Sequence, residues 1–249
     1  MVKGFLTGAG DGSTLRPGCR PSREDSPKAI IAPHAGYFFS GAIAGSAYAQ
    51  FISARKEIRR VVLVGPSHYV AFAGLAAASA TGFATPLGIV PGDAGARDLI
   101  ASLPQVRIFD AAHAHEHALE VQLPFLQVAL DQFSVVALAV GEATPEEVCQ
   151  VIESFWGGPE TRFVISSDLS HFHTSETARK LDAAAARAIE DLDPERLGAE
   201  QACGRTPVCG LLLAARRRGL HAHTLDLRNS GDTAGPRDRV VGYGAFAFA

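Results

Sequence analysis

Apolar and polar positions along the chain follow two rhythms. Short, near-continuous apolar runs occur at residues 29–33 (AIIAP), 59–65 (RRVVLVG), 133–140 (FSVVALAV) and 162–166 (RFVIS). They are rich in β-branched residues and flanked by Gly, Pro or Ser, which predicts buried strands. Residues 75–80 and 106–109 read as shorter strands. Residues 221–228 and 240–248 read as a closing strand pair able to run antiparallel. Between these lie stretches of helical spacing at 41–51, 117–130, 144–156, 175–192 and from Thr206 to about 218. Pro124 is expected to kink or break the second of them. Thr144-Pro145-Glu146-Glu147 is a helix start, with Thr as cap and Pro at the first position.

Strands alternating with helices predict an α/β fold with a mostly parallel or mixed central sheet and helices on both faces. Residues 1–27, rich in Gly, Pro, Ser and Arg, read as a loose N-terminal arm. Residues 28–249 read as a single domain without internal repeat or linker. Apolar residues make up 47% of the 249, so a core can form without disulfides or a structural metal. Twenty-three basic against 26 acidic residues, a net charge of −3, argue against a nucleic-acid or membrane partner. No transmembrane stretch and no signal peptide are read from the sequence. The irregularly spaced cysteines Cys19, Cys149, Cys203 and Cys209 suit a reducing, cytoplasmic setting.

In an open α/β sheet, ligands sit beyond the carboxyl ends of strands. Three expected strands end in polar clusters: Pro33-His34-Ala35-Gly36, Pro66-Ser67-His68 and Ser166-Ser167-Asp168-Leu169-Ser170-His171. If these strands are parallel neighbours, His34, His68, Asp168 and His171 converge on one crevice. Imidazoles with a carboxylate suit divalent iron, copper or zinc. In His113-Ala114-His115-Glu116-His117, His117 shares a helix face with Glu120 and can line the site, whereas His113 and His115 read as surface residues. Cys203 precedes a helix start, where the dipole and Arg205 would favour a thiolate; a buried, inert thiol is the default alternative. Cys149 and Cys209 read as packing residues. Phosphate-binding, dinucleotide, zinc-protease and serine-hydrolase signatures are absent from the sequence.

Taken in order, APHAGY, GPSH, EHALEVQLPFL, SSDLSHF, CGRTP, NSGDTAG and VVGYGAFAF resemble the motifs of the Memo-like proteins over about residues 28–249. These are relatives of the mediator of ErbB2-driven cell motility, and their prokaryotic members are called AmmeMemoRadiSam system protein B. The resemblance implies a fold like that of the class III extradiol dioxygenases. It also implies a mononuclear metal site made by His34, His68 and Cys203, with Asp168, His171, His117 and Glu120 around it. Iron is the expected metal, with copper or zinc as alternatives. The implied activity is redox or dioxygenase-like chemistry on a small molecule. Two alternatives are a peptide- or protein-binding scaffold and a component of a modification system with AMMECR1-like and radical SAM proteins. Relatives carry a longer N-terminal segment with an early helix, of which GFLTGAG at 4–10 is a degenerate echo.

Overall fold

The computed structural model describes residues 1–8 and 26–249; Cys19 and most of the expected arm lie outside them. In chain order the elements are α1 (Val2–Gly8), β1 (Ala29–Ala32), α2 (Tyr37–Tyr48), β2 (Arg60–Pro66), β3 (Leu75–Ala77), β4 (Gly82–Thr85) and β5 (Gly88–Pro91). There follow α3 (Arg97–Ser102), β6 (Val106–Ile108), α4 (His117–Glu120), α5 (Leu123–Ala129), β7 (Ser134–Val140), α6 (Pro145–Ser154) and β8 (Thr161–Ser166). The chain closes with β9 (His171–His173), α7 (Ser175–Glu190), α8 (Arg205–Arg218), β10 (Ala222–Asn229), α9 (Ser230–Thr233) and β11 (Val240–Phe248). The fold is α/β. Among the described residues its sheet has nine strands in the order β10-β11-β1-β8-β2-β7-β3-β6, with β9 pairing off β11.

The middle of the sheet, β1-β8-β2-β7, is parallel. β3 and β11 join it antiparallel on either side, and β10 pairs antiparallel with β11, so the sheet is mixed. The continuous apolar runs follow from burial on both faces. Ile31, Val62, Val64, Phe163 and Ile165 point to one side, where they meet α6, α7 and α8. Ile30, Val61, Leu63 and Val164 point to the other, toward α2 and α5. The period of two thus sorts each strand between two cores.

Three local expectations change in the structure. The helical stretch after residue 117 is two helices, α4 and α5, separated at Val121–Gln122. Pro124 lies in the first turn of α5, where its missing N–H removes no internal bond. The first residues of the arm form α1, which buries Val2 and Leu6 and sets Phe5 against Phe125 at 6.5 Å between ring centroids. The hairpin β4–β5 has no counterpart among the expected strands, because its two segments are short and largely exposed. Among the described residues no helix is long and apolar enough to cross a membrane.

The sheet order places β8 between β1 and β2. Strands lie ~4.8 Å apart, so the loops leaving β1 and β2 start about 10 Å from each other and must lean over the end of β8 to meet. Small residues there leave the space: Ser166 and Ser167 at the end of β8, Gly65 on β2, and Gly204 before α8. A Cβ on Gly204 would stand 2.7 Å from the Ser166 carbonyl oxygen and 2.8 Å from the Ser167 Cβ. We therefore expect Gly204→Ala to lower stability by about 1–3 kcal/mol, the range for overpacking a filled interior. Urea denaturation of the full chain checks this, and an unchanged midpoint would contradict the close approach.

Candidate metal centre

His34 leaves β1 on a loop held down by a neighbouring strand. Its backbone N–H donates to Asp168 Oδ1 at 2.8 Å, so the carboxylate past β8 anchors the turn past β1. Both residues are buried. The Asp168 carboxylate also comes to 4.0 Å from His34 Nε2 through Oδ2. Burial raises the Asp168 carboxyl to about 6, against the pull of the backbone N–H groups and nearby imidazoles.

The tautomer of His34 follows from a chain of hydrogen bonds. Tyr48 Oη donates to Gln122 Oε1 at 2.8 Å, which orients the Gln122 amide. Gln122 Nε2 then donates to the Pro33 carbonyl at 3.1 Å and to Ser166 Oγ at 2.9 Å. The Ser166 hydroxyl gives its one proton to the Ala118 carbonyl at 2.6 Å. It can therefore only accept from His34 Nδ1, 2.9 Å away. His34 Nδ1 carries the hydrogen, and Nε2 presents its lone pair to the site. Burial, then the neighbouring rings of His68 and His117, push the His34 imidazole down to about 3, so it stays neutral at ordinary pH.

His68 is arranged differently. Its ring Nδ1 lies 2.9 Å from Glu116 Oε1, and its backbone N–H donates to Glu116 Oε2 at 2.6 Å. Glu116 also accepts from the Ala118 N–H at 2.9 Å, capping α4. Burial alone would raise the Glu116 carboxyl, but the His68 ring and the two backbone donors hold it at about 2. The hydrogen bond that His68 donates to Glu116 in turn raises the His68 imidazole above its ordinary value. His117 Nδ1 is 3.7 Å from the same Glu116 oxygen. One buried carboxylate thus faces two imidazoles.

One ring nitrogen from each of His34, His68 and His117 lies within 4.8 Å of the other two. The ring centroids of His34 and His68 are 5.2 Å apart, as are those of His68 and His117. The His68 and His117 side chains are 29% and 42% exposed, so the trio opens to solvent on one side.

The other expected site residues fall around this trio. Cys203 Sγ is 3.3 Å from His34 Nε2 and accepts from the Asp168 N–H at 3.3 Å, but it is not a member of the three-nitrogen cluster. Burial and then the Asp168 charge push its thiol up to about 12, the reverse of the helix-dipole expectation. Arg205 does not offset this: its Nε donates to the Leu197 carbonyl at 2.7 Å, and its charge acts on the Cys209 thiol. His171 donates from Nδ1 to the Leu169 carbonyl at 2.8 Å and stands at the start of β9. Glu120 is exposed on α4 and, among the described residues, hydrogen-bonds none of the imidazoles. Glu116 meets His68 in its place. His113, expected at the surface, is partly buried and donates from Nε2 to the Ala76 carbonyl at 3.0 Å. Ser166, Glu116 and Gln122 carry no expected role in the sequence reading. Ser166 and Glu116 do stand inside the strand-end and histidine clusters of the sequence, and a polar Gln122 between Val121 and Leu123 is the signal that marks the third.

The donor set fits a metal ion. Two imidazoles have one nitrogen committed to a hydrogen-bond partner, Ser166 or Glu116, which leaves the other free for coordination. Neutral imidazole donors suit zinc, copper and iron. Three nitrogens bonded to one ion at ~2.1 Å would lie roughly 3.0–3.6 Å apart, so the three rings, whose nitrogens lie within 4.8 Å of one another, would close in on binding.

Comparison with known proteins points the same way as the motifs. The family model described as Memo-like protein matches residues 13–247. A MEMO1 family protein of Aquifex aeolicus is 36% identical over 91% of this chain and 87% of its own length. One from Methanosarcina barkeri is 35% identical over 90% and 87%, and one from Archaeoglobus fulgidus 32% over 94% and 91%.

The pH dependence of the metal-free protein should carry the mark of these groups. The His34 imidazole titrates at about 3 in the fold, against 6.5 for a free histidine side chain. As pH falls from 6.5 toward 3, the unfolded chain takes up a proton that the folded one refuses, so the His34 contribution to stability declines, opposed below about 6 by Asp168, whose carboxyl is protonated more readily in the fold than in the unfolded chain. Glu116 acts in the same direction as His34 lower down: its stabilisation is present above 4.5 and lost as pH falls toward 2. In urea titrations at stepped pH, the stability of wild type relative to His34→Gln should fall as pH goes from 6.5 to 4.5; a constant difference there would contradict the burial of a neutral ring. Ser166→Ala strands the Gln122 and His34 donors and should cost about 1–3 kcal/mol, read from the same titrations at neutral pH.

Proposed function

The chain belongs to the Memo-like family, and from that premise we propose that it is a metal-binding protein whose centre is held by His34, His68 and His117. The observation that carries this reading is the convergence of three imidazoles, two of them locked by hydrogen bonds. We take iron as the resident metal, with copper or zinc as alternatives, and redox or dioxygenase-like chemistry on a small substrate as the activity. When bound, such an ion would supply Lewis acidity and, for iron or copper, a one-electron couple.

The chain's own residues then divide the remaining work. Ser166 and Glu116 keep His34 and His68 in the ligating tautomer. Asp168, raised by burial to about 6, can hold or release a proton at Oδ2 near neutral pH. His171 keeps Nε2 free, because Nδ1 is given to Leu169, and offers a second proton acceptor. Exposed Tyr69, 6.1 Å from the His117 ring, flanks the opening and would contact whatever enters.

The 3.3 Å approach of Cys203 Sγ to His34 Nε2 favours a second reading of the ligand set, in which the thiol replaces His117. A thiol held near 12 is protonated when metal-free, and a metal would have to displace that proton. A peptide-binding role for the same opening, and association with AMMECR1-like and radical SAM proteins, are proposals that rest on the family alone.

Elemental analysis of anaerobically purified protein tests the assignment. Wild type should carry near-stoichiometric iron or take it up on addition, and His34→Ala and His68→Ala should each lose it at least tenfold. Loss in His117→Ala with retention in Cys203→Ser supports the three-imidazole centre, and the reverse pattern supports the thiolate. No metal in any sample, with no uptake of iron, copper or zinc, would overturn the reading.

A further inference from the structure

A second concavity lies at the opposite end of the sheet. The imidazoles stand beyond the carboxyl ends of β1 and β2. A cavity of about 350 Å³ is instead lined by Val135–Ala137, at the amino end of β7, which runs parallel to β2. Its origin is a splayed ladder. β3 pairs with β7 only where Leu75–Ala77 face Val140–Leu138, although β7 begins at Ser134. The chain then leaves the sheet through β4 and β5. It rejoins β7 near that strand's start, through a bridge of Gly92 with Val135, where the Asp93 N–H donates to the Val135 carbonyl at 2.9 Å. The gap between these contacts is the cavity. Because β3 and β6 run antiparallel to the central strands, their carboxyl ends point here, so the rule that places ligands past carboxyl ends applies to this end as well.

The lining is apolar and short-chained. Ala77, Ala96 and Ala137 are buried and leave volume where larger side chains would fill it, and Ile100 and Val106 form a wall. The volume lies at the small end of the ~300–1,000 Å³ range of ligand pockets. Charge at the rim is asymmetric. Asp93 is engaged by Arg60 at 2.6 Å and by Ser134 at 2.9 Å. Outside the lining, Asp110 is engaged by the Ser79 backbone and hydroxyl at 2.7 and 2.6 Å. Arg97, by contrast, makes one 3.3 Å bond to the Ser79 carbonyl and, among the described residues, no salt bridge. An apolar chamber whose mouth carries a guanidinium in no salt bridge among the described residues is complementary to an apolar body bearing one negative charge.

We propose that this cavity binds a small hydrophobic monocarboxylate, its apolar body against Ala77, Ala96 and Ile100 and its carboxylate on Arg97. The site is separate from the imidazole centre, so neither reading depends on the other.

The test is calorimetric titration of the full chain with 4-phenylbutyrate, and with 4-phenylbutanol as the uncharged counterpart. Wild type, Arg97→Gln, Ala101→Phe and His34→Ala would be compared. Arg97 and Ala101 are both exposed, and Ala101 lines the cavity. Wild type and His34→Ala should bind the acid alike. Arg97→Gln should weaken the acid about tenfold or more and leave the alcohol unchanged. Ala101→Phe should abolish both, with its melting temperature reporting whether the fold is kept. If Ala101→Phe misfolds, Arg97→Gln with the acid–alcohol pair still decides. No binding to wild type, equal binding to Arg97→Gln, or loss of binding in His34→Ala would overturn the proposal.

Discussion

Ser166 Oγ is the atom through which fold and site are joined. It ends the central strand β8, gives its proton to the Ala118 carbonyl, and accepts from Gln122 and His34. Those three partners come from the β1 loop, α4 and the segment before α5. One hydroxyl therefore ties the β1 loop, α4 and the approach to α5 to the end of β8, and dictates which nitrogen of His34 faces outward. A buried hydroxyl with two donors and one acceptor has no spare capacity. The arrangement is rigid because any partner that moves leaves a polar group unpaired in a dry interior.

The electrostatics follow from the same burial. His34 sits deep and neutral, whereas His68 and His117 share one anionic carboxylate nearer to solvent. The site thus holds neutral donors at its base and a negative charge behind its rim. It favours a cation in front of the rings without presenting a cationic ring cluster of its own. Cys203 and Asp168 are packed together beside His34, and the Asp168 charge opposes ionisation of the thiol. That opposition would be relieved by a positive ion or a shared proton.

Much of the architecture is legible in the chain. RRVVLVG and RFVIS read as doubly covered strands because both faces of each are apolar, and T-P-E-E announces α6, whose Thr144–Glu147 capping box is present. Other elements are hidden for identifiable reasons. Val2, Phe5 and Leu6 carry an i, i+3, i+4 apolar face, but seven residues are too few for the period to stand out from a Gly-rich arm. β9 is three residues long and is defined by its pairing with β11. β4 and β5 are four residues each, and of their apolar residues Phe83, Ala84, Ile89 and Val90 just Val90 is buried, so no alternating or continuous run marks them.

By itself the sequence determined the α/β class, the residues that follow the carboxyl ends of β1, β2 and β8, and the family motifs they form. These are local properties: side-chain period, turn chemistry and the order of short motifs. What only the tertiary structure decided was adjacency. The order β1-β8-β2 brought His34 and His68 together over Ser166, and the approach of α4 to β2 brought Glu116 and His117 against them. It also turned Glu120 outward, raised rather than lowered the Cys203 thiol, and opened a cavity where β3 parts from β7. Each of these depends on which surfaces exclude water from which groups, and burial is a property of the packed sheet and helices rather than of any segment alone.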